Sequence, residues 1–133
     1  MPPKASRYAT SAKHLETGRL AEAIAASWLQ DQGMALLERN WRRPQAEIDL
    51  VMRDGETCVF VEVRSRTGNE HGDPLESVDA RKRAHLVRGA RLYIHEVQPA
   101  DRYFRFDVVG VVFPCDHMAP RIEHIEDAFR VDG

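Results

Sequence analysis

The sequence predicts a single α/β domain built on a mixed β-sheet with flanking helices. Three observations carry this. Apolar runs at Ile48, Leu50 and Val51 and at Val59-Phe60-Val61 flank an Asp54-Gly55 turn, the pattern of a β-hairpin. Apolar residues recur at helical spacing on either side of the hairpin, at Ala21, Ile24, Ala25 and Trp28 before it and at Leu86, Ala90 and Tyr93 after it. A run rich in β-branched and aromatic residues, from Tyr103 to Phe113, follows the second helix. A helix between two strands is the usual crossover of a parallel pair, whereas a hairpin is antiparallel, so the sheet is expected to be mixed.

Taken in order, residues 1–16 are polar, contain Lys4, Arg7 and Lys13, and read as a loose N-terminal tail, leaving residues 17–133 as the domain. Such a tail either touches phosphates or is merely a disordered terminus. Thr17-Gly18 is placed to cap a helix over residues 19–32, ended by Gly33. Glu22 borders the buried stripe of that helix. Residues 34–39 read as a first strand, followed by a loop at Asn40-Trp41-Arg42-Arg43-Pro44. With Arg39, this loop sets an aromatic ring beside three cations, which suits phosphate and base contacts; equally, the Trp packs on the core and the arginines face water. After the hairpin comes a polar loop at residues 65–74 with two glycines. A second helix is expected over residues 75–96, with Lys82 between Val78 and Leu86 on its buried face. There Lys82 either snorkels to water or reaches the hairpin's carboxylates. The strand Tyr103–Phe113 ends at Pro114, and residues 121–125 form a short edge strand before a peripheral acidic tail.

Composition bounds the function. The chain has 133 residues, enough for one real core, with 43% hydrophobic and 30% charged residues. The net charge of −2 does not advertise a nucleic-acid partner, but the charge is unevenly spread. Residues 1–43 and 64–91 each carry seven Lys or Arg against four Asp or Glu, and residues 107–133 carry two against six. A basic face can therefore lie under a neutral total. Two cysteines, Cys58 and Cys115, are too few for a disulfide scaffold, and Cys58 reads as a small core residue. The six histidines lack the spacing of a zinc site. No apolar run approaches a membrane span and no secretory leader is visible, so a cytoplasmic protein is expected.

The hairpin holds the candidate chemistry. Side chains alternate along a strand, so Glu47 and Asp49 share one face of the first strand. Phe60, Glu62 and Arg64 share one face of the second, with Val59, Val61 and Val63 on the other. A carboxylate held between valines is costly unless it has a partner. If Asp49 and Glu62 point the same way, two carboxylates converge beside a guanidinium, an arrangement that suits a hard divalent cation such as Mg²⁺. The alternative is a set of cross-strand ion pairs on a solvated sheet face.

Several stretches carry a resemblance. Gly18-x-x-Ala21-Glu22, Leu37-x-Arg39-Asn40-Trp41-Arg42, Glu47-Ile48-Asp49-Leu50-Val51, Val59-Phe60-Val61-Glu62-Val63-Arg64-x-Arg66, Pro74-x-Glu76-x-Val78 and Arg105-Phe106-Asp107-Val108 resemble, in order and over about residues 17 to 113, the YraN-like family of uncharacterised bacterial proteins. That family looks like the PD-(D/E)xK nuclease superfamily and is similar to archaeal Holliday junction resolvases. The resemblance implies a restriction-endonuclease-like fold. It implies Asp49, Glu62 and the Val63 carbonyl as ligands of Mg²⁺ or Mn²⁺, with Glu22 as a helical acid that orders water beside the ion. Two positions depart from the pattern. Arg64 stands where the superfamily has its lysine, and arginine cannot act as a base. Ala46 stands where the family usually has glycine. Lys82 is a candidate replacement lysine.

The expected function is therefore a metal-dependent endonuclease, or a nuclease-like DNA-binding protein, hydrolysing phosphodiester bonds, in branched DNA if the resolvase likeness extends that far. Glu22, Asp49, Glu62, Arg64 and Lys82 are the candidate catalytic residues, and Arg39, Arg42, Arg43 and Arg66 the candidate DNA contacts. Resolvases act as dimers, so the resemblance implies a homodimer. The alternative is a catalytically degenerate nuclease fold that serves as a DNA- or protein-binding module.

Overall fold

A computed structural model describes residues 11–68, 73–115 and 118–131, with side chains from residue 17 onward. The elements are α1 (Ser11–Asp31), β1 (Ala35–Arg43), β2 (Ala46–Asp54), β3 (Thr57–Thr67), a short 3-10 turn (Pro74–Ser77), α2 (Ala80–Val97), β4 (Tyr103–Phe113) and β5 (Arg121–Phe129). The five strands form one sheet in the order β1-β2-β3-β4-β5. β3 and β4 are parallel and every other pairing is antiparallel. This is the expected mixed sheet with flanking helices, the α/β arrangement of a restriction-endonuclease-like fold.

Each face of the sheet takes one helix. α1 lays Ala21, Ala25, Ala26 and Leu29 on Leu50, Met52, Val59, Val61, Val109 and Val111. α2 lays Leu86, Ala90 and Tyr93 on Trp41, Ile48, Val51, Cys58, Phe60 and Phe106. A strand covered on both faces is apolar at successive positions rather than alternating, and β4 is buried without a break from Phe106 to Val112. Cys58 is a core residue as expected, and burial, then Asp101, pushes its thiol up to about 12. Among the described residues no helix is long and apolar enough to cross a membrane.

Several boundaries differ from those expected. α1 begins at Ser11 rather than at residue 19. Residues 11–20 contain no proline and include Ala, Lys, Leu and Glu, so the helix propagates through Thr17-Gly18 instead of being capped there. Residues 1–10, with Lys4 and Arg7, lie outside the described residues, as do residues 69–72 of the polar loop. The loop expected at residues 40–44 is mostly strand, because β1 runs to Arg43. Trp41 is only 6% exposed and packs edge-on against Tyr93 at 5.3 Å, so an inward ring keeps these polar residues in the sheet. The second helix starts at Ala80, where the Asp79 side chain accepts the Lys82 N–H at 2.9 Å and caps it. Val78 therefore precedes the helix, and Lys82 is exposed rather than on the buried face. β5 extends to Phe129, so part of the acidic tail is strand.

Candidate functional site

The site forms where the sheet opens. β2 and β3 pair from Asp54↔Thr57 as far as Leu50↔Val61 and then part, although β2 reaches back to Ala46 and β3 continues to Thr67. Beyond that point Val63 donates its N–H to Asp49 Oδ2 at 2.8 Å instead of to a strand carbonyl. The side-chain alternation changes at the same place. Ile48 belongs to the α2-side core and Leu50 to the α1-side core, two residues apart. On β1 the pairs Arg39↔Leu50 and Trp41↔Ile48 set Asn40 opposite Asp49, and Asn40 has a φ of +52°. Asparagine tolerates this left-handed conformation better than most residues. A kink in both strands thus turns Asp49 into the opening.

Helices from both faces line that opening. Gly18, Ala21 and Glu22 of α1, Glu47 and Asp49 of β2, Glu62 to Ser65 of β3, and Lys82, His85 and Leu86 of α2 enclose a cavity of about 260 Å³. The expected catalytic residues Glu22, Asp49, Glu62, Arg64 and Lys82 all line it, together with Val63. The Val63 carbonyl leaves from the same strand edge as its N–H, the edge facing Asp49. Arg64 Nη1 lies 3.4 Å from Glu62 Oε2, and Arg64 Nε donates to Ser77 Oγ at 3.0 Å, so the guanidinium is held beside the Glu62 carboxylate. Lys82 forms no ion pair among the described residues.

The expected DNA-contacting arginines are not among the residues that line the cavity. Arg42 lies 3.9 Å from Glu47, Arg43 bonds Glu96 at 2.8 Å and stacks over Trp41, and Arg66 bonds Glu123 at 2.8 Å. Arg39 is exposed and adds positive charge near Glu22.

Electrostatics make the cavity a high-energy place for negative charge. Burial first, then Glu62, Glu22 and Glu47, pushes the Asp49 carboxyl up to about 8 against the pull of the Val63 N–H. Burial also raises Glu22 above its ordinary value, opposed by a hydrogen bond from Asn40 and by Arg39. The other Glu22 oxygen, Oε1, is buried and has no protein partner. Crowded carboxylates with an orphaned oxygen are the donor set a hard divalent cation takes. Among the described residues no group of three or more His, Cys, Asp and Glu is arranged as a ready-made metal cage.

The sequence left Asn40 and His85 unassigned to the site. The signal for His85 is its spacing, three residues after Lys82 on a helix, which places both on the cavity side.

A sequence profile described as uncharacterised protein family UPF0102 matches residues 21–111, which include every lining residue but Gly18. The chain belongs to this family. A UPF0102 protein of Pseudomonas aeruginosa strain LESB58 is 47% identical over 115 residues, covering 86% of this chain and 92% of its own length. One from Chlorobium chlorochromatii is 44% identical over 122 residues, covering 88% and 93%. One from Moorella thermoacetica is 46% identical over 112 residues, covering 84% and 93%. The UPF0102 chain therefore matches these relatives over nearly their whole lengths.

Proposed function

We propose that this UPF0102 chain is a metal-dependent endonuclease that hydrolyses phosphodiester bonds in DNA. The observation that supports it is the parting of β2 from β3, which puts Asp49, Glu62 and the Val63 main chain in one cavity with Glu22, Arg64 and Lys82. Asp49, Glu62 and the Val63 carbonyl are the groups that would hold Mg²⁺ or Mn²⁺. When bound, the ion supplies Lewis acidity at the phosphate and lowers the pKa of the attacking water. Glu22 accepts a hydrogen bond from that water on its unpartnered Oε1 and orients it. Arg64 offers fixed positive charge to the phosphate as charge develops there, and Lys82 adds to it from α2. None of these residues reads bases, so recognition falls on the backbone and shape of the DNA. The resolvase likeness makes branched DNA the first substrate to try.

One observation favours a second reading, a DNA-binding module without cleavage. Arg64 replaces the superfamily's lysine, and its guanidinium is engaged by Glu62 and Ser77. Incubation with linear, flapped and four-way-junction DNA in Mg²⁺ or Mn²⁺ separates the two. On the endonuclease reading the wild type cuts, Asp49→Asn and Glu62→Gln abolish cutting, and Arg64→Ala lowers it by ~10²-fold, the scale of a lost preorganised charge contact. An inert wild type that gains metal-dependent cleavage on Arg64→Lys alone would establish the binding module instead.

A further inference from the structure

Several cations on the described surface already have an anionic partner. Arg43, Arg53, Arg66 and Arg130 each bond a carboxylate at 2.8 Å. α2 differs. Arg81, Arg88 and Arg91 are exposed, and their side chains form no hydrogen bond or ion pair among the described residues. With 3.6 residues per turn these three fall on one stripe, which also holds His95 and lies opposite the Leu86, Ala90 and Tyr93 face that meets the sheet. The helix carries a single acid, Glu96, and Arg43 occupies it. Nearby, the Asp79 carboxylate is turned to the helix as its cap.

The stripe leads into the site. Lys82 and His85 line the carboxylate cavity, and both also line a hollow of about 500 Å³ with Arg81, Arg88, Ala84 and the capping Asp79. Unpaired positive charge thus continues from the cavity along the outside of α2. From Arg81 to Arg91 the helix rises about 15 Å, at ~1.5 Å per residue. This covers roughly four steps of a DNA strand at ~3.4 Å each.

We propose that this face of α2 is the track for the DNA backbone, with Arg81, Arg88 and Arg91 contacting phosphates that flank the one in the cavity. The track rests on the nuclease reading for which phosphate is cut, and on charge complementarity alone for its affinity. Its contacts position the strand without reading sequence. It replaces Arg42, Arg43 and Arg66, which have acids in contact or close by, as the principal backbone contact.

The test is fluorescence anisotropy of a labelled duplex titrated with the full chain at a series of KCl concentrations. A combined Arg81→Ala, Arg88→Ala, Arg91→Ala variant is compared with a charge-matched control, Arg102→Ala, Arg121→Ala, Arg130→Ala, at exposed sites around β4 and β5. The α2 variant should lose at least tenfold in affinity, and its salt slope should shrink by about 0.9 per lost phosphate contact. Lysine at the same three positions should keep affinity and slope, which separates lost charge from a damaged fold. Equal losses in the control would show only a net-charge effect and overturn the track. So would a wild type that binds phosphatidylserine vesicles but not DNA, or no polyanion at all. Cleavage is scored separately. A wild type that binds through α2 without cutting keeps the track and removes the endonuclease.

Discussion

Asp49 is held where a carboxylate is least stable as an anion, buried beside three other acids. Its protonation is therefore linked to folding. With the native value near 8 and the ordinary value at 3.8, the native state holds an extra proton between them. That proton's contribution to stability is fully present below the ordinary value and is lost as pH rises through about 8. In EDTA, Asp49→Asn should be more stable than the wild type at pH 9 and close to it near the ordinary value of 3.8, because Asn still accepts the Val63 N–H without taking a charge. Melting curves across that range check this, and an advantage confined to low pH would contradict it. Asp49 and Glu62 stood out in the sequence as carboxylates within apolar strands, although the alternation left cross-strand ion pairs equally open. Asn40 did not. Its part depends on lying across from Asp49 in the register and on bonding Glu22, relations that connect three segments far apart in the chain.

The elements were read best where a local rule acts alone. The hairpin follows from Asp-Gly between alternating runs, and its turn at Gly55, with a φ of +63°, is as expected. β1 was misread at its end because an edge strand keeps one face wet, so arginines beside a buried Trp look like a loop. The start of α2 was misread because Val78 happens to keep helical spacing with Leu86, although the Asp79 cap lies between them. The preceding 3-10 turn has its own contact with the sheet. A Cβ at Gly110 would meet Pro74 Cγ at 2.7 Å and Cβ at 3.0 Å, and a proline ring has little room to give. Gly110→Ala should cost about 1–3 kcal/mol by overpacking, read as a lower urea midpoint. It should also shift the turn that carries Ser77 and, through it, Arg64. An unchanged midpoint would mean that the turn moves freely on β4.

At the scale of the molecule, the end of the sheet away from the cavity is tied by charge. Arg105 on β4 contacts Asp54 of β2 at 2.9 Å, Asp107 at 3.0 Å and Glu126 of β5 at 3.1 Å. Asp107 is fully buried and also takes His124 at 2.8 Å and the Asp127 N–H at 3.0 Å. Burial alone would raise its carboxyl, but these bonds outweigh it and hold the group below its ordinary value. The stability it adds is present above the ordinary value of 3.8 and is lost as pH falls through the lower native one. Asp107→Asn should cost on the order of 3 kcal/mol at neutral pH, because it removes the buried carboxylate that Arg105, His124 and the Asp127 N–H all converge on. The gap to wild type should close in acid, and chemical denaturation at pH 7 and pH 2 checks it. The opposite end of the same sheet has another kind of consequence. A strand edge offers main-chain donors and acceptors to whatever approaches, and on the outside of a protein it invites pairing with other chains and aggregation. Where β2 leaves β3, such an edge lies inside the sheet, roofed by α1 on one face and α2 on the other. Val63 can offer its backbone to a small ligand there while no second polypeptide strand has room to add itself.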